Sequence, residues 1–195
     1  LKTATDGYQW RFMYTIPGAT YTKFTSNTYI PIVAHANASG NSINGALDAY
    51  VVSNSGNNYN EFANGSVVLG TNGMLFTINS TSFTLSGNND FYNNCSIYFT
   101  AGTSNGEIRE ITDYVSNSTG KFVTVNTAFS STPDSTSKFE ITPTVRIKGD
   151  GSNAIARALI NTSTNTVANI QVLQRGSKYT YADVTIEANN MASAN

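Results

Sequence analysis

Apolar and polar residues alternate through most of this chain, and helical periodicity is almost absent. A two-residue period is typical of half-buried β-strands, whose successive side chains point to opposite faces. The clearest alternating segments are 74–78, 97–100, 122–125, 145–148 and 184–187. Clusters of Gly, Asn, Ser and Asp separate such segments at intervals of about ten residues, which predicts an antiparallel sandwich or barrel. A single helical turn after Asp90 is the only helical structure that we expect.

One segment of the chain occurs twice. Residues 45–59 and 165–179 each contain an alternating strand that runs into a Gly-x-x-Tyr turn. The turn positions are Gly56 and Tyr59 in the first copy, and Gly176 and Tyr179 in the second, at an offset of 120 residues. Glycine adopts backbone angles that other residues resist, so it is suited to a tight turn. Duplication of a strand-turn unit favours a scaffold over an enzyme.

The two copies divide the chain into parts. Residues 1–33 form an approach segment rich in aromatic side chains. We expect 34–70 and 143–190 to form one discontinuous β-sandwich, built from the duplicated unit. Residues 71–142 carry their own strands and turns, and are predicted to be an inserted, small β-barrel-like module. Residues 191–195 are expected to be a frayed tail.

Composition narrows the class of protein. Charged residues make up 12% of the 195 residues, against about 25% in typical domains. Such a surface, covered by amides and hydroxyls, occurs in extracellular and virion proteins. A net charge of −1 provides no basic patch for nucleic acid, and no apolar run approaches the roughly 20 residues of a membrane span. The chain begins at Leu1 without Met or a signal pattern, so we expect a fragment or a processed form.

Few residues are candidates for catalysis. His35 is the only histidine, and its alternating surroundings favour a strand residue over a base or a metal ligand. Glu107, Glu110 and Asp113 cluster around Arg109, where two carboxylates would suit glycoside hydrolysis. A solvated ion-pair ladder explains the same cluster. The single cysteine, Cys95, is interpreted as a small buried residue. We therefore predict no catalytic residue, no metal site and no cofactor.

Two ligand-binding alternatives stay open. The 149–153 segment could hold Ca²⁺ through Asp150, although one acidic side chain is few for such a site and a tight turn is the simpler interpretation. Tyr59, Tyr179 and Tyr181 could stack on sugar rings, or they could be packing rings with their hydroxyls at the surface.

Three stretches resemble proteins of phage virions. Asp6-Gly7-Tyr8-Gln9-Trp10 through Pro17, followed by Thr28-Tyr29-Ile30-Pro31, resembles a signature of baseplate wedge proteins from T4-like contractile-tailed phages. Residues 90–115, with 133–141, are similar to a β-module of phage tail and structural proteins. The strand-Gly-x-x-Tyr repeats resemble units in marine myophage virion proteins. Together these stretches cover roughly three-quarters of the chain.

The resemblance implies a non-enzymatic structural protein of the phage baseplate or tail, assembled in the cytoplasm of the bacterial host. Its partners would be other virion proteins and further copies of itself. The alternative is a tail-fibre or adhesin module that binds a host surface glycan. Neither reading implies a nucleic-acid partner, a membrane or a cofactor.

The approach segment carries the predicted partner contacts. Its aromatic residues alternate with Gln9, Arg11 and Met13, so that one face of a strand there would be wholly aromatic. Such a face is either core or a docking surface, since aromatic residues are enriched in interfaces and contribute much of the binding energy. The interface candidates are Tyr8, Trp10, Phe12, Tyr14 and Tyr29.

Overall fold

The computed structural model describes residues 34–39, 45–57, 59 and 63–188, and within them it contains twelve β-strands and no helix. The prediction of an all-β fold with antiparallel sheets is confirmed. Hydrogen-bonded turns replace the expected helical turn after Asp90. The approach segment 1–33 and the tail 191–195 lie outside the described residues. The strands are β1 Ala34–Ser39, β2 Ala49–Asn54, β3 Ala63–Gly70, β4 Leu75–Asn79, β5 Ser96–Ala101, β6 Ile108–Asn117, β7 Gly120–Val125, β8 Lys138–Thr142, β9 Thr144–Gly149, β10 Ser152–Asn161, β11 Thr166–Ser177 and β12 Ala182–Glu187.

Strands β3 to β8 close into a barrel with the order β3-β4-β7-β6-β5-β8. This confirms the predicted barrel-like module and corrects its boundary. β3 pairs with β4 and with β8, so the barrel includes residues 63–70, which the sequence division placed in the discontinuous sandwich. The local sequence of residues 63–70 contains no information on which strands they pair with, so the division by repeats could not place β3 in the barrel.

Aromatic rings fill much of the barrel interior. Tyr92 and Tyr114 pack edge to face with centroids 4.8 Å apart, and Phe99 and Phe129 do so at 4.7 Å. Edge-to-face pairs add to the stabilisation that burial of the rings provides. Cys95 is fully buried in this core, as predicted.

The remaining strands form a second body. β1, β2, β9 and β12 make a four-stranded sheet with the order β2-β1-β12-β9, and β10 pairs with β11. Buried residues from both sheets contact one another in a single core, which confirms the sandwich. β1 and β2 precede the barrel in the chain, whereas β9 to β12 follow it.

The duplicated sequence folds into duplicated structure. In the first hairpin, His35 pairs with Asn54 and Ala36 with Val52, across a bulge. In the second hairpin, residues 155 and 156 pair with 174 and 172 across a bulge in the same place. Every β1–β2 pair thus has a β10–β11 counterpart 120 residues later.

The two copies also bond to each other reciprocally. The amide of Leu47 donates to the carbonyl of Arg175 at 2.9 Å, and the amide of Val167 donates to the carbonyl of Ser55 at 2.8 Å. Adding or subtracting the 120-residue offset converts each bond into the other. A pseudo-two-fold axis therefore relates the copies. Two further bonds obey the same exchange: Tyr59 N to Asn165 O at 3.1 Å, and Tyr179 N to Gly45 O at 2.9 Å.

Two arginines join the sandwich to the barrel. Arg157 of β10 lies 4.0 Å from the ring centroid of Tyr98 and donates to Glu140 at 2.9 Å. Arg146 of β9 forms a bidentate ion pair with Glu110 of β6. A guanidinium can satisfy a carboxylate with two parallel hydrogen bonds, which fixes orientation as well as distance. These contacts couple the two bodies.

Candidate functional site

Two of the three carboxylates that could have served a glycosidase, Glu107 and Glu110, are held in ion pairs. Glu107 accepts hydrogen bonds from Arg109 at 2.8 Å and from the Ser130 amide at 3.2 Å. Burial acts to raise the pKa of Glu107, but the Ser130 hydrogen bonds and the Arg109 guanidinium outweigh it and hold that pKa below its ordinary value. A carboxylate held in this state is a poor proton donor at neutral pH.

Glu110 and Asp113 do not join Glu107 in a common site. Glu110 is bound by Arg146 of the sandwich, with one donor at 2.7 Å. Asp113 is exposed and lies outside both ion pairs. The ladder interpretation therefore holds for Glu107 with Arg109, whereas Glu110 serves the contact between the two bodies.

Asp150 organises a turn. Its carboxylate accepts from the Thr180 amide at 2.9 Å and from the Tyr181 amide at 3.2 Å. The hydrogen bonds from Thr180 are the main cause that lowers the pKa of Asp150 to about 2. The carboxylate thereby links the β9–β10 turn to the segment before β12. These contacts agree with the interpretation of residues 149–153 as a tight turn.

In the part of the chain that the structure describes, no group of three or more His, Cys, Asp or Glu residues could hold a metal ion. His35 lies in β1, as its alternating surroundings predicted, and pairs there with Thr185 of β12. The same residues include no helix of the length and hydrophobicity that a membrane span requires.

The two turn tyrosines are packing rings. Tyr59 and Tyr179 expose only 3% and 7% of their surface, and they belong to the sandwich core. Gly56 and Gly176 precede them with positive φ angles of 62° and 67°. Sugar stacking on either buried ring is therefore ruled out. Tyr181 is the exception, because 62% of its surface is exposed.

Three exposed apolar residues lie in the β3–β4 hairpin of the barrel. Val68, Leu69 and Met74 expose 54%, 64% and 39% of their surface. Regular alternation would turn one of two adjacent strand residues inward, but a bulge between Val67 and Leu69 leaves both Val68 and Leu69 outside. We call these three residues the apolar hairpin.

Two shallow polar clefts adjoin on another part of the barrel surface. The first has a volume of about 490 Å³ and is lined by residues 79–85 and Lys121. The second, of about 360 Å³, is lined by parts of β3 and β8 together with Thr100. Thr81 and Ser82 line both clefts, so the two form one continuous surface feature.

Comparison with known proteins gives no family. No protein-family model, curated protein or solved structure matches the chain.

The apolar hairpin, the polar clefts and the roles of Arg146 and Arg157 were not predicted from the sequence. Val68 and Leu69 did stand side by side as an apolar pair in a strand, which is the signature of either a bulge or a doubly buried strand. The five aromatic candidates of the approach segment lie outside the described residues, so they stay predictions.

Proposed function

We propose that this chain is a non-enzymatic structural protein of a contractile-tailed phage virion, and that it acts in baseplate or tail assembly through subunit interfaces. The apolar hairpin carries the proposal. Contiguous exposed apolar residues on a folded domain mark interaction sites, and the centre of an interface is more apolar than the remaining surface. Partners would be other virion proteins and further copies of the chain.

The apolar hairpin is preformed. Asn72 caps its turn by accepting from the amides of Met74 at 2.8 Å and Leu75 at 2.9 Å. At Gly70 the backbone lies so near the carbonyl of Pro133 that a Cβ atom would meet its oxygen at 2.0 Å. Because the turn and the strand are already fixed, binding would cost little conformational entropy.

The state of the carboxylates supports a structural role over hydrolysis. Glu107 and Glu110 each bind an arginine: Arg109 also donates to the Ala128 carbonyl, and Arg146 belongs to the other body. Removal of either glutamate would disturb the fold before any chemistry. Their arrangement suits a molecule that must keep its shape within a larger assembly.

The test combines particle composition with one charge substitution. We expect the chain in purified virions at a fixed copy number, and cryo-EM density to place the apolar hairpin at a subunit contact. Leu69→Asp should lower incorporation into particles about tenfold or more, because it would bury a charge in that contact. Val51→Asp is the matched control, since Val51 is 58% exposed on the other body. Absence of the chain from washed particles, or equal incorporation of both variants, would refute the proposal.

A further inference from the structure

The two adjoining clefts of the barrel combine hydroxyl and amide groups with lysine ammonium groups. We propose that they form one binding groove for an anionic oligosaccharide, that is, a short glycan bearing carboxylate groups. This inference goes beyond assembly and is independent of the apolar hairpin. It also differs from sugar stacking on the turn tyrosines, which are buried.

Each of the two clefts has one lysine in its lining. Lys121 of β7, which pairs with Ile78 of β4, lines the first cleft. Lys138 of β8, which pairs with Ser66 of β3, lines the second. Ser66 in turn pairs with Asn79, the residue that follows Ile78 in β4. The groove therefore has a lysine in each of its two parts.

Between the lysines the lining is made of hydrogen-bonding groups. Ser82 donates to the Asn64 amide oxygen at 2.7 Å across the junction of the clefts, which holds both side chains in place. Phe83 lines the first cleft and packs against the barrel core, so one aromatic surface is fixed there. The remaining hydroxyls belong to Ser66, Ser80, Thr81, Thr84 and Thr100. Hydroxyl and amide groups pair with sugar hydroxyls, whereas a peptide groove would need apolar pockets.

The charges of the groove favour an anion. Within the described residues neither lysine has a carboxylate partner: Lys138 donates to Ser66 at 2.7 Å, and Lys121 donates to Ser116. Glu140 is the acidic residue that lines the groove, and it is already bound by Arg157. The groove is therefore positive although the whole chain has a net charge of −1. A carboxylate bound beside either lysine would replace its weak hydroxyl contact with a charge-assisted hydrogen bond.

The experiment titrates the whole chain with tetragalacturonate by calorimetry, and with its fully methyl-esterified, uncharged form. We expect the acid to bind at least about tenfold more tightly than the ester, since the ester lacks the charge that the lysines recognise. Lys121→Gln and Lys138→Gln should each weaken binding of the acid about tenfold. Ser82→Ala keeps the charge but releases Asn64, and should weaken it about fivefold. Lys148→Gln is the matched control, because Lys148 is an exposed lysine on β9, outside the groove.

Three results would overturn the proposal. The acid and the ester could bind equally or not at all; Lys148→Gln could weaken binding as much as Lys138→Gln; or single-stranded DNA could bind as tightly as the acid, which would show a general polyanion surface. Unfolding curves of each variant verify that the barrel is intact. Leu69→Asp should bind the oligosaccharide normally, so failure of this proposal and failure of the assembly proposal are distinguishable.

Discussion

At the scale of single residues, two buried tyrosines show how a hydroxyl group can stabilise the fold or oppose it. Tyr114 is fully buried and donates to the Ser86 carbonyl at 2.6 Å. Tyr50 is 5% exposed, and its hydroxyl is buried without a hydrogen-bond partner among the described residues. Burial, together with Tyr179, raises the pKa of Tyr50 to about 12. Burial, with Tyr92 adding to it, also raises the pKa of Tyr114 above its ordinary value.

Replacement of each tyrosine by phenylalanine should therefore have opposite effects. Tyr50→Phe removes a desolvated hydroxyl, and we expect the free energy of unfolding to stay unchanged or rise by up to about 1 kcal/mol. Tyr114→Phe leaves the Ser86 carbonyl without its donor and should cost about 1–2 kcal/mol. Urea unfolding at pH 7 measures both. A Tyr50→Phe variant less stable than Tyr114→Phe would contradict the assignment.

The raised pKa of Tyr50 makes the stability of the fold depend on pH in the alkaline range. The unfolded state loses the Tyr50 proton near pH 10, whereas the folded state keeps it until about pH 12. The unfolded state therefore binds fewer protons in this interval, and stability falls as the pH rises through it. Tyr50→Phe lacks this contribution, so its advantage over the wild type should grow from pH 10 to 12.

At the scale of elements, the Gly-x-x-Tyr turn depends on both the backbone angle and the space at its glycine. Gly176 has a φ of 67°, and a Cβ atom there would lie 2.5 Å from the Ser152 carbonyl oxygen and 2.8 Å from the Tyr179 ring. Gly106 has a φ of 86° but nothing within 4 Å, and Gly87 has open space without a positive φ. Comparison of the three glycines therefore separates the cost of a positive φ angle from the cost of a clash at the Cβ atom.

Three alanine substitutions test this element. Gly176→Ala should destabilise the protein by about 3 kcal/mol or more, because it incurs the left-handed backbone cost and also displaces neighbouring backbone. Gly106→Ala should cost only the backbone term, about 1–2 kcal/mol. Gly87→Ala should be neutral or slightly stabilising, since it restricts the unfolded chain. Thermal unfolding that ranks Gly106→Ala below Gly176→Ala in stability would contradict the packing at the turn.

The elements also show what could be predicted from the sequence. The strands and the repeat were predictable, because the two-residue period and the Gly-x-x-Tyr spacing are local features. The barrel boundary was not, since the local sequence of β3 does not show which strands it pairs with, and its pairing with β8 is what places it in the barrel. The clefts and the Arg146–Glu110 pair join residues far apart in the chain, at positions that no local period connects. The bulge that exposes Val68 and Leu69 depends on the register with β4.

At the scale of the whole molecule, two hydrophobic cores share one chain. The buried residues of the barrel core and those of the sandwich core form separate clusters, and the side chain of Ala188 packs against both. Polar contacts make much of the remaining connection, including Arg146, Arg157 and a 2.8 Å hydrogen bond between Ser96 and Thr144. Removal of the charged contacts should therefore weaken the coupling between the bodies more than it weakens either body.

The double variant Arg146→Gln/Arg157→Gln tests this coupling, with Cys95 as a natural reporter of the barrel. We expect calorimetric unfolding to change from one transition to two, because the ion pairs and the Tyr98 stacking together contribute about 2–4 kcal/mol across the junction. Thiol labelling of Cys95, which is fully buried, should stay as slow as in the wild type until the barrel itself unfolds. Arg175→Gln is the matched control, since Arg175 pairs with Asp48 inside the sandwich, and it should leave the number of transitions unchanged. If the double variant unfolds in one transition, with Cys95 labelled at that same temperature, then the two bodies are coupled by their apolar contacts rather than by the arginines.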